Sequence, residues 1–157
     1  MKNGLLFFFC LTFFACQKNE VFFPSSVDNY SSFEDFEKDD DSMHYLLIVG
    51  EINAPDFIQK VKPDVRKFSG QHFPRKPVRI SDIYIGDQFS RKPLILIRRF
   101  KNKKEVMDFY RKIQKRPKRF LSKKIDYQLL PISQRNYRIV LKNRSLEGYA
   151  EFFEANY

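Results

Sequence analysis

An α+β domain is what the sequence predicts over residues 44–157: a sheet of four strands packed with two helices, then two further helices. Three observations carry that expectation. Dense apolar runs of strand length recur at His44–Val49, Leu94–Ile97 and Tyr127–Leu130. Two intervening stretches place their apolar residues every three or four positions, which is the period of a helix face. A capping-box spacing, Asn102 and Glu105, marks the start of the second of them.

His44-Tyr45-Leu46-Leu47-Ile48-Val49 has no polar alternation, so it is expected to be a strand buried on both faces. Asn53 can cap the helix that follows, with Pro55 in the first turn where a missing N–H costs nothing. Phe57, Val61, Val65 and Phe68 supply its apolar stripe, and Pro63 is expected to kink or split it. Val78, Ile80, Ile83 and Ile85 suggest a second strand, interrupted at Ser81/Asp82. Gly86-Asp87-Gln88 fits a turn and Pro93 limits the start of the next strand, so the two strands are expected to pair as a hairpin. Val106, Phe109, Tyr110 and Ile113 mark the buried face of the second helix, and Pro117 stops or bends it. Phe120 and Leu121 can pack a short basic segment before the strand at 127–130. Beyond that strand, Ser133 can cap a helix carrying Tyr137, Val140 and Leu141, although "NYRIVL" also suits a strand. Ser145 can cap a last helix carrying Leu146, Tyr149, Phe152 and Phe153. The resulting order of strand, helix, strand, strand, helix, strand is the split βαβ arrangement, so the full expectation is a ferredoxin-like βαββαβ sandwich with two C-terminal helices.

Ahead of this domain lie two segments of different character. Residues 4–15 are almost entirely apolar, too short to span a bilayer comfortably at roughly 20 residues, and follow a weakly basic start. Ala15 then precedes Cys16. Residues 1–15 resemble a bacterial lipoprotein signal peptide, with Phe13 where the commonest lipobox has Leu. The resemblance implies cleavage before Cys16 and acylation of its sulfur, each buried methylene contributing about 0.8 kcal/mol of membrane affinity. An ordinary secretory signal and a retained anchor helix stay open as alternatives. On the lipoprotein reading the mature chain has no free thiol and no disulfide, and it faces the periplasm from the outer membrane. Residues 16–43 hold eight acids and two bases without useful periodicity, which reads as an acidic flexible tether in which Val21–Phe23, Phe33 and Phe36 could dock locally.

The charge changes sign at residue 44. From there to the end the chain carries 26 of its 29 Lys and Arg and 11 of its 19 Asp and Glu, a formal charge of about +15. Such a field concentrates polyanions: anionic glycans, lipid headgroups, acidic proteins or the acidic tether itself. Nucleic acid is not an expected partner, because the targeting segment removes the chain from the compartment where it abounds and the aromatics fall at core spacing. A solvated basic face is the plain alternative. Arg111, Lys112, Lys115, Arg116, Lys118, Arg119, Lys123 and Lys124 crowd one helix and its exit, which makes 111–124 the leading candidate contact surface. Lys60, Lys62, Arg66 and Lys67 flank the first helix.

"FKNKKEVMDFYRKI" at 100–113 with "LLPISQRNYRIVLKNRSLEGYAEFFEANY" at 129–157, opened by "HYLLIVGE" at 44–51, resembles the C-terminal domain of tetratricopeptide lipoproteins of Bacteroidetes gliding motility and type IX secretion. The resemblance implies an accessory or adaptor role in the cell envelope. It departs from that family in lacking any repeat near the required 34-residue period. More loosely, "HYLLIVGEINAPDFIQKV" and "LILIRRFKNKKEVMDFYRKI" resemble a SPOR domain, which implies binding of peptidoglycan glycan strands on an exposed sheet face, with Tyr84, Arg98 and Gln128 as contacts.

Catalysis is not expected. His44 and His72 are the only histidines, too few for a typical zinc site without help from a partner. Ser69 and His72 lack an evident orienting acid. Asp82 and Asp87 flank a strand and a turn, while Asp56 and Glu105 suit helix N-termini. No phosphate-binding glycine pattern occurs, so no cofactor and no metal are expected. The sequons at Asn29 and Asn143 read as chance matches in a bacterial chain.

Overall fold

The computed structural model describes residues 35–50, 56–74, 78–86, 91–121 and 125–157. In chain order the elements are β1 (His44–Gly50), α1 (Phe57–His72), β2 (Arg79–Ile85), β3 (Lys92–Phe100), α2 (Lys103–Lys115), α3 (Pro117–Phe120), β4 (Tyr127–Ser133), α4 (Gln134–Asn143) and α5 (Tyr149–Asn156). The strands form one antiparallel sheet in the order β2-β3-β1-β4. This is a mixed α+β domain with C-terminal helices, broadly consistent with a ferredoxin-like topology.

The apolar run that opens the domain takes the central position. Leu47 pairs with Leu96 of β3 on one side and Leu130 of β4 on the other. Because successive side chains point to opposite faces, β1 feeds two separate cores. Leu46 and Ile48 join Phe57, Val61, Val65, Phe68, Phe109 and Ile113 beneath α1 and α2. Tyr45 and Leu47 join Leu94, Leu96, Leu130, Ile132, Val140 and Tyr149 beneath α4 and α5. Phe57, Phe68, Phe109 and Phe120 are all fully buried, and each such side chain contributes about 1.5–3 kcal/mol relative to exposure. β2 and β3 pair as the expected hairpin, with Ile83 opposite Leu94.

Several local expectations are corrected. Asn53 and Pro55 lie outside the described residues, and α1 begins at Phe57 with Asp56 in the N-cap position. Asp56 makes no capping bond through its side chain and pairs with Lys60 at 2.9 Å. Pro63 does not split α1. It is exposed, so its missing N–H falls on the solvent side, while Phe57 and Val61 before it and Val65 and Phe68 after it all seat on the sheet. In α2 the capping box forms with a shift. Glu105 N–H donates to Asn102 Oδ1 at 3.1 Å as expected, but the Glu105 carboxylate accepts from Lys101 N–H at 2.6 Å, one residue beyond the cap.

Ser133 caps α4, accepting from Asn136 N–H at 3.1 Å, and "NYRIVL" is helical. Its buried face is Asn136, Ile139 and Val140, however, and Leu141 is 46% exposed. Ser145 does not cap α5. It accepts from Glu147 N–H at 3.0 Å in the preceding turn, and Gly148, at φ +73°, holds the N-cap position. Arg144 ends α4 in the left-handed region at φ +51°.

Candidate binding surface

The expected basic cluster is assembled at the end of α2 and along α3. Pro117 starts α3 at its first turn, and the burial of Phe120 and Leu121 pins this short basic helix to the core, which leaves Lys118 and Arg119 exposed. Two contacts join the cluster to the end of α1. Lys112 Nζ lies 4.1 Å from the centre of the Phe73 ring, a cation–π contact. Arg116 Nη1 donates to His72 Nε2 at 3.3 Å, while His72 Nδ1 faces the Phe68 carbonyl at 3.0 Å. Arg111 approaches Asp108 at 3.5 Å. Lys115, Lys118 and Arg119 have no partner among the described residues, and Arg66 and Lys67 are exposed on α1. Lys123, Lys124 and the acylation candidate Cys16 lie outside the described residues.

The three residues expected to form a glycan platform do not converge. Tyr84 shares a face with Ile80 and with Asp82, whose carboxylate is held below its ordinary range by the Lys62 ammonium 2.6 Å away on α1. Arg98 and Gln128 lie on the other face, at opposite ends, since Arg98 follows the Leu46-paired Ile97 and Gln128 pairs with Val49. That face is covered by α4 and α5. Arg98 is half-buried, donates through Nη2 to Ser81 Oγ at 3.0 Å, and has no partner for Nε among the described residues. Gln128 borders a cavity of about 440 Å³ whose wall includes Val49, Lys92, Arg144 and Leu146.

A second polar constellation was anticipated only in part, through Phe36 and the acidic tether as a counter-charge, and its partners Asn136, Arg135 and Lys103 were not. Part of the acidic stretch, residues 36–43, lies against α4, α5 and the start of α2. Phe36 meets Tyr149 edge-on with centroids 4.8 Å apart and Phe152 at 5.7 Å. Asn136, fully buried, receives Glu37 N–H on Oδ1 at 2.9 Å and donates Nδ2 to the Glu37 carbonyl at 2.8 Å. Arg135 pairs with the Glu37 carboxylate at 2.6 Å. Lys103 donates its backbone N–H to the Asp40 carbonyl at 3.1 Å and its Nζ to Asp40 Oδ1 at 2.9 Å and to the Asn156 carbonyl at 2.6 Å. The hydrogen bond from Lys103 holds the Asp40 carboxyl below its ordinary range. Partial burial opposes the same shift at Asp39, but hydrogen bonds from the Ser42 hydroxyl and backbone overcome it. Glu37 and Asp40 thus neutralise Arg135 and Lys103 and not the cluster at 111–119.

Asn136 carried a usable signal. It stands three and four residues before Ile139 and Val140, so it shares their buried face and needs internal partners. Phe36 docks as its aromatic character in an acidic stretch suggested, on Tyr149 and Phe152, whereas Glu37 carried no signal, because its contacts are made across the whole domain.

No catalytic group assembles from the predicted candidates. Ser69 Oγ is buried without a partner among the described residues, and both nitrogens of His72 are engaged elsewhere. His44 Nδ1 faces the Ser42 carbonyl at 2.8 Å and Nε2 the Tyr157 hydroxyl at 3.0 Å. Among the described residues no group of three His, Cys, Asp or Glu side chains could hold a metal ion, and no helix is long and apolar enough to cross a membrane. Asp87 lies outside the described residues. No protein-family model, curated protein or solved structure matches the chain.

Proposed function

We propose that the protein is a non-catalytic envelope lipoprotein, anchored through Cys16 in the outer membrane and facing the periplasm, whose ferredoxin-like module serves as an adaptor for an acidic partner protein. One observation carries this reading. Lys115 ends α2 and Lys118 and Arg119 project from the short helix that follows, fixed by a buried Phe120, and none of the three has a partner among the described residues, while Glu37 and Asp40 of the acidic stretch pair with Arg135 and Lys103. Cations without a partner among the described residues, carried on a fixed backbone, suit a charged partner better than a long, mobile lysine tail would, because less chain order is lost on contact. Coupling to type IX secretion or gliding is the context that the sequence resemblance supports. Glycan binding is the weaker reading, since α4 and α5 occupy the sheet face that a SPOR-like platform would use.

Crosslinking of the natively anchored chain in envelopes tests the proposal. The wild type should capture one dominant protein that the Lys115→Glu/Lys118→Glu/Arg119→Glu chain fails to capture, with capture declining as salt screens the contact. Equal capture by the two chains would sink the adaptor reading, and retention on peptide-free glycan alone would replace it. Cys16→Ser should move the protein out of the membrane fraction.

A further inference from the structure

We propose that the groove holding Phe36–Asp40 is a peptide-binding site, with these residues as its resident ligand and an extended aromatic-then-acidic segment of another protein as its exchange partner. The inference goes beyond the basic-face reading and uses none of its residues.

The groove has the parts of a peptide receptor. The Asn136 amide bonds both the N–H and the C=O of one residue, Glu37, which is what a neighbouring strand residue does in an antiparallel pair. This contact reads backbone and not side chain, so it accepts any extended residue. Tyr149 and Phe152 receive the preceding aromatic ring. Arg135 and Lys103 then select carboxylates one and four residues further along. Beside Phe36 a cavity of about 570 Å³, bordered by Asn143, Gly148 and Phe152, gives the site more room than the resident ring fills.

The resident segment is held by means that allow exchange. None of residues 36–43 belongs to a helix or strand. Phe36 is only partly buried, and the acids of both ion pairs are about half exposed, at 49% for Glu37 and 52% for Asp40, so water and salt weaken them. The buried Asn136 amide, by contrast, cannot be left without partners at low cost. Release of residues 36–40 therefore creates a demand for another backbone at the same place. Asp41–Met43 join the segment directly to β1, and a short connection of this kind gives an effective concentration on the order of millimolar, which a competing segment must overcome.

The test uses the full chain and a fluorescent peptide with the sequence of residues 35–41. In a Phe36→Ser/Glu37→Lys chain the resident ligand is weakened and the groove is intact. That chain should bind the peptide at least tenfold more tightly than the wild type does, with a thermal melt confirming that it is folded. Adding Asn136→Leu, or replacing the peptide's phenylalanine by serine, should remove the gain, whereas the Lys115→Glu/Lys118→Glu/Arg119→Glu substitutions should not. Absence of binding to the folded Phe36→Ser/Glu37→Lys chain overturns the proposal. So does binding that survives Asn136→Leu but is lost with the basic cluster, since the peptide would then be reading charge alone. Concentration-dependent dimerisation of the wild type, abolished by Phe36→Ser/Glu37→Lys, would give the groove to a second copy and overturn it as well.

Discussion

Tyr157 donates its hydroxyl to Nε2 of His44 across 3.0 Å, joining the last residue of the chain to the first residue of the central strand. The direction of the bond follows from the other side of the ring, where Nδ1 must donate to the Ser42 carbonyl. Burial pushes the Tyr157 phenol up to about 12, so it remains a donor throughout the working range. Tyr149, deeper still, is also pushed up by burial and donates to the Pro131 carbonyl at 2.7 Å. Tyr157→Phe keeps the ring beneath the Lys103 ammonium, 4.6 Å away, but leaves the buried Nε2 without its donor. The expected loss is about 1–3 kcal/mol in urea denaturation, and a loss near zero would show that water replaces the hydroxyl.

The same histidine makes stability fall with acid. Burial disfavours its imidazolium, so in the folded chain it takes up a proton below the ordinary value of 6.5, despite the opposing pull of the Ser42 carbonyl and of Asp39 and Asp40; Lys103 acts in the same direction as burial. The unfolded chain therefore binds the proton first. Stability from this group is complete above pH 6.5, declines as the pH drops below it, and levels off once the folded ring itself is protonated. Asp39 and Asp40, held below 3.8, lose their contribution only in a separate, more acidic window. Urea midpoints across this range should slope in the wild type and lie flatter in His44→Gln.

Gly50 is required by a close approach. A Cβ built there would lie 2.7 Å from two ring carbons of Phe57, which is fully buried and cannot swing aside. Gly50→Ala should cost about 1–3 kcal/mol as an overpacked site. In a double-mutant cycle with Phe57→Leu the two costs should sum to more than the double variant loses. Strict additivity would show that the ring does not set the constraint.

Val140 and Leu141 are adjacent in sequence and opposite in environment, 0% and 46% exposed. Removing two methyl groups in Val140→Ala should cost about 2 kcal/mol at about 0.8 kcal/mol per buried methylene. Leu141→Lys should stay within about 0.5 kcal/mol of the wild type. Thermal or chemical melts of the two variants decide whether α4 presents the face described.

Where burial depended on near neighbours, the sequence was readable. The Phe57, Val61, Val65 and Phe68 stripe lies where its spacing places it, and the Asn102 cap forms, because both arise within a few turns of one helix. The face of α4 was harder, since "RIVL" offers apolar residues in three adjacent directions and only the partner surface decides which are covered. Tyr84, Arg98 and Gln128 do not form one platform for a related reason: alternation assigns each residue a face relative to its own strand only, and Tyr84 falls on the face opposite Arg98 and Gln128, which the two C-terminal helices cover. The partners of the acidic stretch were hidden most deeply, although Phe36 could be named as a docking residue. The composition of the stretch argues for solvation, yet Glu37 meets Asn136 across 99 residues of sequence, and such a pairing leaves no periodic trace in either segment.

The seating of Phe36 and Glu37 on α4 and α5 also decides how the domain bears force. A pull arriving along the chain from its N-terminal side reaches these residues before it reaches any of the described strands, and β1 lies behind them, held by a strand on either side. The half-exposed ion pairs and the two bonds to Asn136 yield first, lengthening the chain by the few residues they held while the sheet stays whole. A domain built in this way carries its own extensible lead, so tension at a surface would be absorbed by the seated segment and spare the core.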